Sequence, residues 1–131
     1  MSRTEINRLM VMGSDNLADA QYLFNDKRYS GVPNRSYYAV FDAVNALLRT
    51  HEQYTKTHKG AKSKFNELFI KTGKMPEEAN TWLEECAELR QSGDYDFEHD
   101  VTEEQARKSI DYANEFLLHA EAYLRGQNLL D

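Results

Sequence analysis

The sequence predicts an all-α protein, a single-domain antiparallel bundle of about five helices, and three observations carry that expectation. Apolar residues recur at three- and four-residue steps along five stretches. The 131 residues include only 6 glycines and 2 prolines, too few for the turns of a β-rich sandwich. No stretch alternates apolar and polar with period two. A chain of this length buries roughly two thirds of its unfolded surface around one core, so residues 1–131 are expected to form one domain.

The first helix is expected from Thr4 to about Asn25, where Ile6, Leu9, Met10, Leu17, Ala20, Leu23 and Phe24 share a face, with Ser2 or Thr4 as cap and "GSD" weakening the middle. "NDKRYSGVPN" breaks the pattern at Gly31 and Pro33. "VPNRSYYAVFDAVNALLRTH" then carries Tyr37, Val40, Phe41, Val44, Leu47 and Leu48 on one stripe, the longest apolar run and the expected centre of the core. A third helix is read from His58 to Thr72 and ends at "KTGKMP". The fourth runs from about Pro76 to Arg90 and stops at Ser92-Gly93, with Glu77 and Glu78 at the positive end of its dipole. "TEEQ" opens the last helix, since Thr102 with Gln105 three residues on forms a capping box, and the tail "RGQNLLD" is expected to be loose.

Composition narrows the function. A formal charge of −6 gives no global attraction for a polyanion, so any nucleic-acid contact must be local. Cys86 is alone, which fits a reducing cytoplasm and leaves no zinc-site cluster. No signal-peptide core and no apolar run of about 18 residues is present, so a cytoplasmic protein without a membrane segment is expected. There is no phosphate-binding glycine loop, HExxH pair, calcium loop or serine elbow, and no pair of Glu-x-x-His helices for a di-iron centre. No metal and no cofactor is expected.

Three segments could carry chemistry. In "RSYYAVFDAVNALL", Arg35, Tyr38 and Asp42 lie about one turn apart, although core tyrosines beside a snorkelling arginine would look the same. "THKG" places His58 at a helix start, which also needs no function. "LRQSGDYDFEHD" strings Arg90, Asp94, Tyr95 and His99 through a connector, where an arginine closing a helix and an acidic loop are ordinary features too.

Taken together, in this order, the three segments and the last helix "TEEQARKSIDYANEFL" resemble the HEPN superfamily, in its small stand-alone branch, over about residues 4 to 125. The resemblance implies a helical bundle that forms a homodimer. It also implies a toxin-like role beside a nucleotidyltransferase-type antitoxin, with RNA or a nucleotide as target and, where catalysis occurs, metal-independent ribonuclease chemistry. In such a ribonuclease an arginine holds the phosphate as negative charge develops, and a histidine that follows after a gap of four to six residues exchanges a proton with the 2′-hydroxyl. Arg90 matches the arginine. After a gap of four residues the chain has Tyr95 rather than histidine, and His99 follows only after eight.

A phenol is a poor base near neutrality, so the departure counts against ribonuclease activity. The catalytic candidates are therefore Arg90, Tyr95 and His99. Arg35, Tyr38, Asp94 and His58 are the candidates for holding RNA or a nucleotide, through guanidinium contacts and ring stacking. Tyr95 is also the position implied for modification with AMP by a partner. The competing expectation is a non-catalytic dimeric adaptor that binds a protein partner through an acidic, tyrosine-rich face.

Overall fold

The structure is a computed structural model that describes residues 2–95 and 100–131, with nothing placed for the side chain of Tyr95. The described residues form five α-helices, α1 (Arg3–Asn25), α2 (Val32–Arg49), α3 (His58–Phe65), α4 (Glu78–Tyr95) and α5 (Glu103–Gly126). A short 3-10 turn, Tyr29–Gly31, precedes α2, and a π-helical segment, Asn66–Ile70, continues α3. No strand occurs among the described residues.

The helix starts follow from local chemistry. Ser2, not Thr4, caps α1, its Oγ accepting from Glu5 N at 3.1 Å. Thr57 Oγ1 accepts from Gly60 N at 2.9 Å at the start of α3. At α5 both halves of the capping box are made, Gln105 N to Thr102 Oγ1 at 3.1 Å and Thr102 N to Gln105 Oε1 at 3.0 Å. Each such cap satisfies orphan amides and stabilises its helix by about 1 kcal/mol.

The antiparallel bundle is built around α2, which touches α1, α3, α4 and α5. Twelve of its residues are buried, because its apolar positions wrap more than one face and every face meets a neighbour. Val40, Val44, Leu47 and Leu48 meet Ile6 and Met10 of α1, Phe65 and Phe69, Leu83 and Cys86 of α4, and Phe116, Leu117 and Leu124 of α5 in one core. A smaller cluster of Ala20, Val32, Val101, Ala106 and Ile110 closes the end where α4 runs out. The lone Cys86 is fully buried, and burial pushes its thiol up to about 12, so it packs as an inert hydrophobe.

Four details differ from the sequence expectations. α1 is continuous through Gly13, where an added Cβ would stand 3.1 Å from the Ala39 carbonyl oxygen and 3.5 Å from Asp42 Cβ. The glycine there lets two helices approach rather than weakening one. The stretch read as one helix from 58 to 72 changes pitch, with Lys71 N bonding to Asn66 O five residues back at 2.9 Å. Phe65 and Phe69, four residues apart, are both in the core, their rings stacked 5.9 Å apart.

The tail is not loose. Asn7 Nδ2 donates to Leu129 O at 3.1 Å, Asp131 N donates to Asn7 Oδ1 at 2.9 Å, and Arg3 pairs with Asp131 at 2.7 Å. Lastly, α4 does not stop at Ser92-Gly93 but runs on to Tyr95. A Cβ on Gly93 would meet the Ser30 carbonyl oxygen at 3.1 Å and Val101 Cγ2 at 3.3 Å, so the glycine serves close packing within a helix rather than its termination.

Gly93→Ala is accordingly expected to destabilise the protein by up to about 2 kcal/mol in urea unfolding, because an overpacking cost of about 1–3 kcal/mol against a backbone oxygen outweighs the roughly 1 kcal/mol that alanine adds in helix propensity. A more stable variant would show that the contact yields freely.

Candidate functional site

The continuation of α4 puts Arg90 and Asp94 one turn apart on the same helix, facing the first two turns of α2. Arg90 Nε lies 3.2 Å from Asp94 Oδ2. The pair is electrostatic rather than hydrogen-bonded, since that buried N–H has no acceptor in line among the described residues. Arg90 Nη2 donates to the Tyr38 hydroxyl over a long 3.4 Å, and the guanidinium carbon sits 5.3 Å from the ring centres of both Tyr37 and Tyr38. A planar cation set over two adjoining aromatic rings is held by their negative quadrupoles without losing its remaining donors.

A second guanidinium approaches from α2 itself. Arg35 lies 5.9 Å from the Tyr38 ring and donates to Asn34 Oδ1 through Nη2 at 2.7 Å and through Nε at 3.1 Å. Its Nη1 donates to Asn16 Oδ1 of α1 at 3.2 Å. Asn34 Nδ2 in turn donates to Asp94 Oδ2 at 3.1 Å, and Asn16 Nδ2 to Asp42 Oδ2 at 2.8 Å. One polar chain therefore joins α4, α2 and α1, running Asp94, Asn34, Arg35, Asn16, Asp42. Burial raises the Asp42 carboxyl above the usual carboxylate range, and the Asn16 hydrogen bond and the Arg35 charge offset part of that rise.

On the other side of the tyrosines stands His58, at the start of α3. Its Nδ1 is 2.8 Å from the Tyr37 hydroxyl, and its ring lies 4.2 Å from that of Phe41. Desolvation lowers the imidazole below its usual value, and the Arg90 charge lowers it further. Burial raises the Tyr37 phenol, partly countered by Arg90. At neutral pH the pair is thus a protonated phenol against a neutral imidazole, with one hydrogen bond between them.

Of the residues singled out in the sequence, Arg90, Arg35, Tyr38, Asp94 and His58 converge on this one region. Tyr95 closes α4 by its backbone, but its side chain and His99 lie outside the described residues. Sequence reasoning missed Asn16, Asn34 and the hydroxyl of Tyr37, which was assigned to the core stripe. The available signal was Gly13, because close approach of α1 to α2 brings Asn16, one turn later, within reach of Asp42 and Arg35.

Chemically the region offers two guanidinium groups, partly exposed aromatic faces and a neutral imidazole, a set suited to a phosphate and a planar ring. Among the described residues no group of three or more His, Cys, Asp and Glu side chains is placed to hold a metal ion, and no helix is long and apolar enough to cross a membrane.

Comparison with known proteins finds relatives of the chain. The model of the HEPN domain matches residues 6–123. A Methanocaldococcus jannaschii protein named "Putative toxin MJ0142" is 30% identical over 128 residues, covering 98% of this chain and 87% of its own. A second protein of that organism, named "Putative toxin MJ0605", is 33% identical over 115 residues, 88% of this chain and 85% of its own. A Thermotoga maritima protein named "UPF0332 protein" is 36% identical over 101 residues, 77% of this chain and 76% of its own.

Proposed function

The chain belongs to the HEPN domain family, and on that premise we propose that it is the toxin-like half of a pair, directed at RNA or a nucleotide, with a nucleotidyltransferase-type protein as antitoxin. The observation that carries this reading is the placement of both the Arg90 and the Arg35 guanidinium groups beside Tyr38, at 5.3 and 5.9 Å from its ring. Two cations around an aromatic ring match a phosphate with its adjoining base. The names of the two Methanocaldococcus relatives support the toxin-like part.

In this reading Arg90 holds the phosphate and Asp94 orients Arg90, while Asn34 keeps Asp94 in place. Arg35 and Tyr38 carry binding, and His58 sets the tyrosine pair. Tyr95 stands at the histidine position of the ribonuclease motif, so capture of RNA comes before cleavage in the proposal. If cleavage occurs it is metal-independent, with Tyr95 or His99 as the proton-exchanging group beside Arg90. The protein acts in the cytoplasm as a homodimer, and Tyr95 is the acceptor if the partner transfers AMP. The same tyrosine-for-histidine replacement favours the second reading, a non-catalytic dimeric adaptor for a protein partner.

The test is incubation of the purified protein with tRNA and with total RNA in excess EDTA, followed by gel retardation and by analysis of fragment ends. Retention of RNA, with or without cleavage, is the expected result. Neither retention nor cleavage, with co-purification of a neighbour-encoded protein, would replace the first reading by the second.

A further inference from the structure

The lysines are unevenly spread. Between residues 55 and 74 lie Lys56, Lys59, Lys62, Lys64, Lys71 and Lys74 with one acid, Glu67, although the whole chain carries a formal charge of −6. This stretch is α3, its π-helical continuation and their flanks, so the excess positive charge is gathered on one element of an otherwise acidic protein. Such a local concentration attracts a polyanion where net charge does not.

At the foot of α3 is a cavity of about 250 Å³. Its walls are the rings of Tyr37 and Phe41 with Val44, Leu83 and Ala87, and His58, Lys59 and Lys62 complete the lining. Small-molecule sites usually span roughly 300–1,000 Å³. This one is too small for a whole nucleotide but of the right order for a single ring system. No carboxylate lines it. Lys59 is exposed and makes no ion pair among the described residues, whereas Lys62 pairs with Glu84 at 2.9 Å with both side chains near half exposure. An exposed pair of that kind is weak and exchanges readily for a phosphate.

We propose that this cavity is a base-binding subsite for single-stranded RNA, in which one nucleobase lies against the wall formed by Tyr37, Phe41 and His58 while Lys59 and Lys62 hold the flanking phosphates. The inference rests on the RNA-directed reading and extends it from Arg90 to α3, on the far side of Tyr37. An aromatic wall beside a basic rim is how sequence-tolerant single-strand sites work, because every base has a π-face and every step brings a phosphate. An acidic protein segment would satisfy the lysines equally, but it would leave the ring-sized, acid-free cavity unexplained.

Fluorescence anisotropy with a labelled single-stranded oligoribonucleotide, across a salt series, tests it in the full-length protein. The double variant Lys59→Gln/Lys62→Gln is expected to bind roughly tenfold more weakly at 0.1 M salt and to reduce the slope of log affinity on log salt by about 1.4. Ala87→Phe, which fills the cavity and keeps every charge, is expected to weaken binding about tenfold without changing that slope. Thermal unfolding of both variants close to that of the wild type shows that they fold.

Wild-type binding that Arg90→Ala weakens but these variants do not would overturn the subsite and leave the RNA reading standing. No binding of RNA by the wild type would end both. Binding of poly-glutamate as tight as that of RNA, lost in the lysine variant and untouched in Ala87→Phe, would reassign the surface to an acidic protein.

Discussion

Replacing Arg90 by alanine is expected to weaken RNA binding by roughly ten- to a hundredfold, the equivalent of the about 1.5–3 kcal/mol that a hydrogen bond to a charged group contributes. If the protein cleaves RNA, the same change should lower the rate by about two to three orders of magnitude, as loss of one donor to a developing anion does. The structural cost should be small. Asp94 keeps its hydrogen bond from Asn34, Tyr38 loses a 3.4 Å contact, the partly exposed ion pair contributes about 0–1 kcal/mol, and the cation over the Tyr37 and Tyr38 rings adds about 0.5–1 kcal/mol.

Arg90→Lys separates charge from shape, because an ammonium keeps the positive charge but lacks the planar fork that lies over the two tyrosine rings. It should recover a minor part of the affinity. Anisotropy titrations of wild type, Arg90→Ala and Arg90→Lys, alongside urea unfolding, read both effects. Unchanged affinity in a stable alanine variant would remove Arg90 from the site.

The second large effect is on stability. Phe65→Ala should cost about 3–5 kcal/mol, since a large buried ring is lost and its neighbours close in only partly. Phe65 is fully buried, stacks on Phe69 at 5.9 Å and lies 5.3 Å from Phe116 of α5, so it ties α3 to the far side of the core. Its position at the join between α-helical and π-helical turns leaves little freedom to fill the space. Against a total stability of about 5–15 kcal/mol this is a large fraction, and the melting temperature should fall by roughly 10–20 °C. Phe65→Leu, which keeps most of the volume, should cost about 1.5 kcal/mol or less. A loss below about 1 kcal/mol for the alanine variant would mean that α3 is not bound to the core through this ring.

These two positions also mark what could and could not be read from the chain. Phe65 sits in a plain helical stripe with Ala61, Leu68 and Phe69, so its burial was visible in the spacing. Arg90 was visible as a residue, but its setting was not, because the glycine three places later was read as a stop. Glycine is ambiguous in one dimension. At position 93 it admits the Ser30 carbonyl oxygen to a helix that carries on, and at position 13 it admits the Ala39 carbonyl oxygen. In both places the deciding atom belongs to another element.

The amino-acid sequence by itself determined the helical class, the five amphipathic stretches, the capping box at Thr102 and the central place of α2, because periodicity and end chemistry act within a few residues of one another. Only the tertiary structure decided that Asn16, Arg35, Asn34 and Asp94 form one hydrogen-bonded chain, that Arg90 stands over the rings of Tyr37 and Tyr38, and that His58 bonds to Tyr37. Those contacts join α1, α2, α3 and α4 across separations of up to 60 residues, and side-chain direction across such distances is set by how the helices pack rather than by any local pattern.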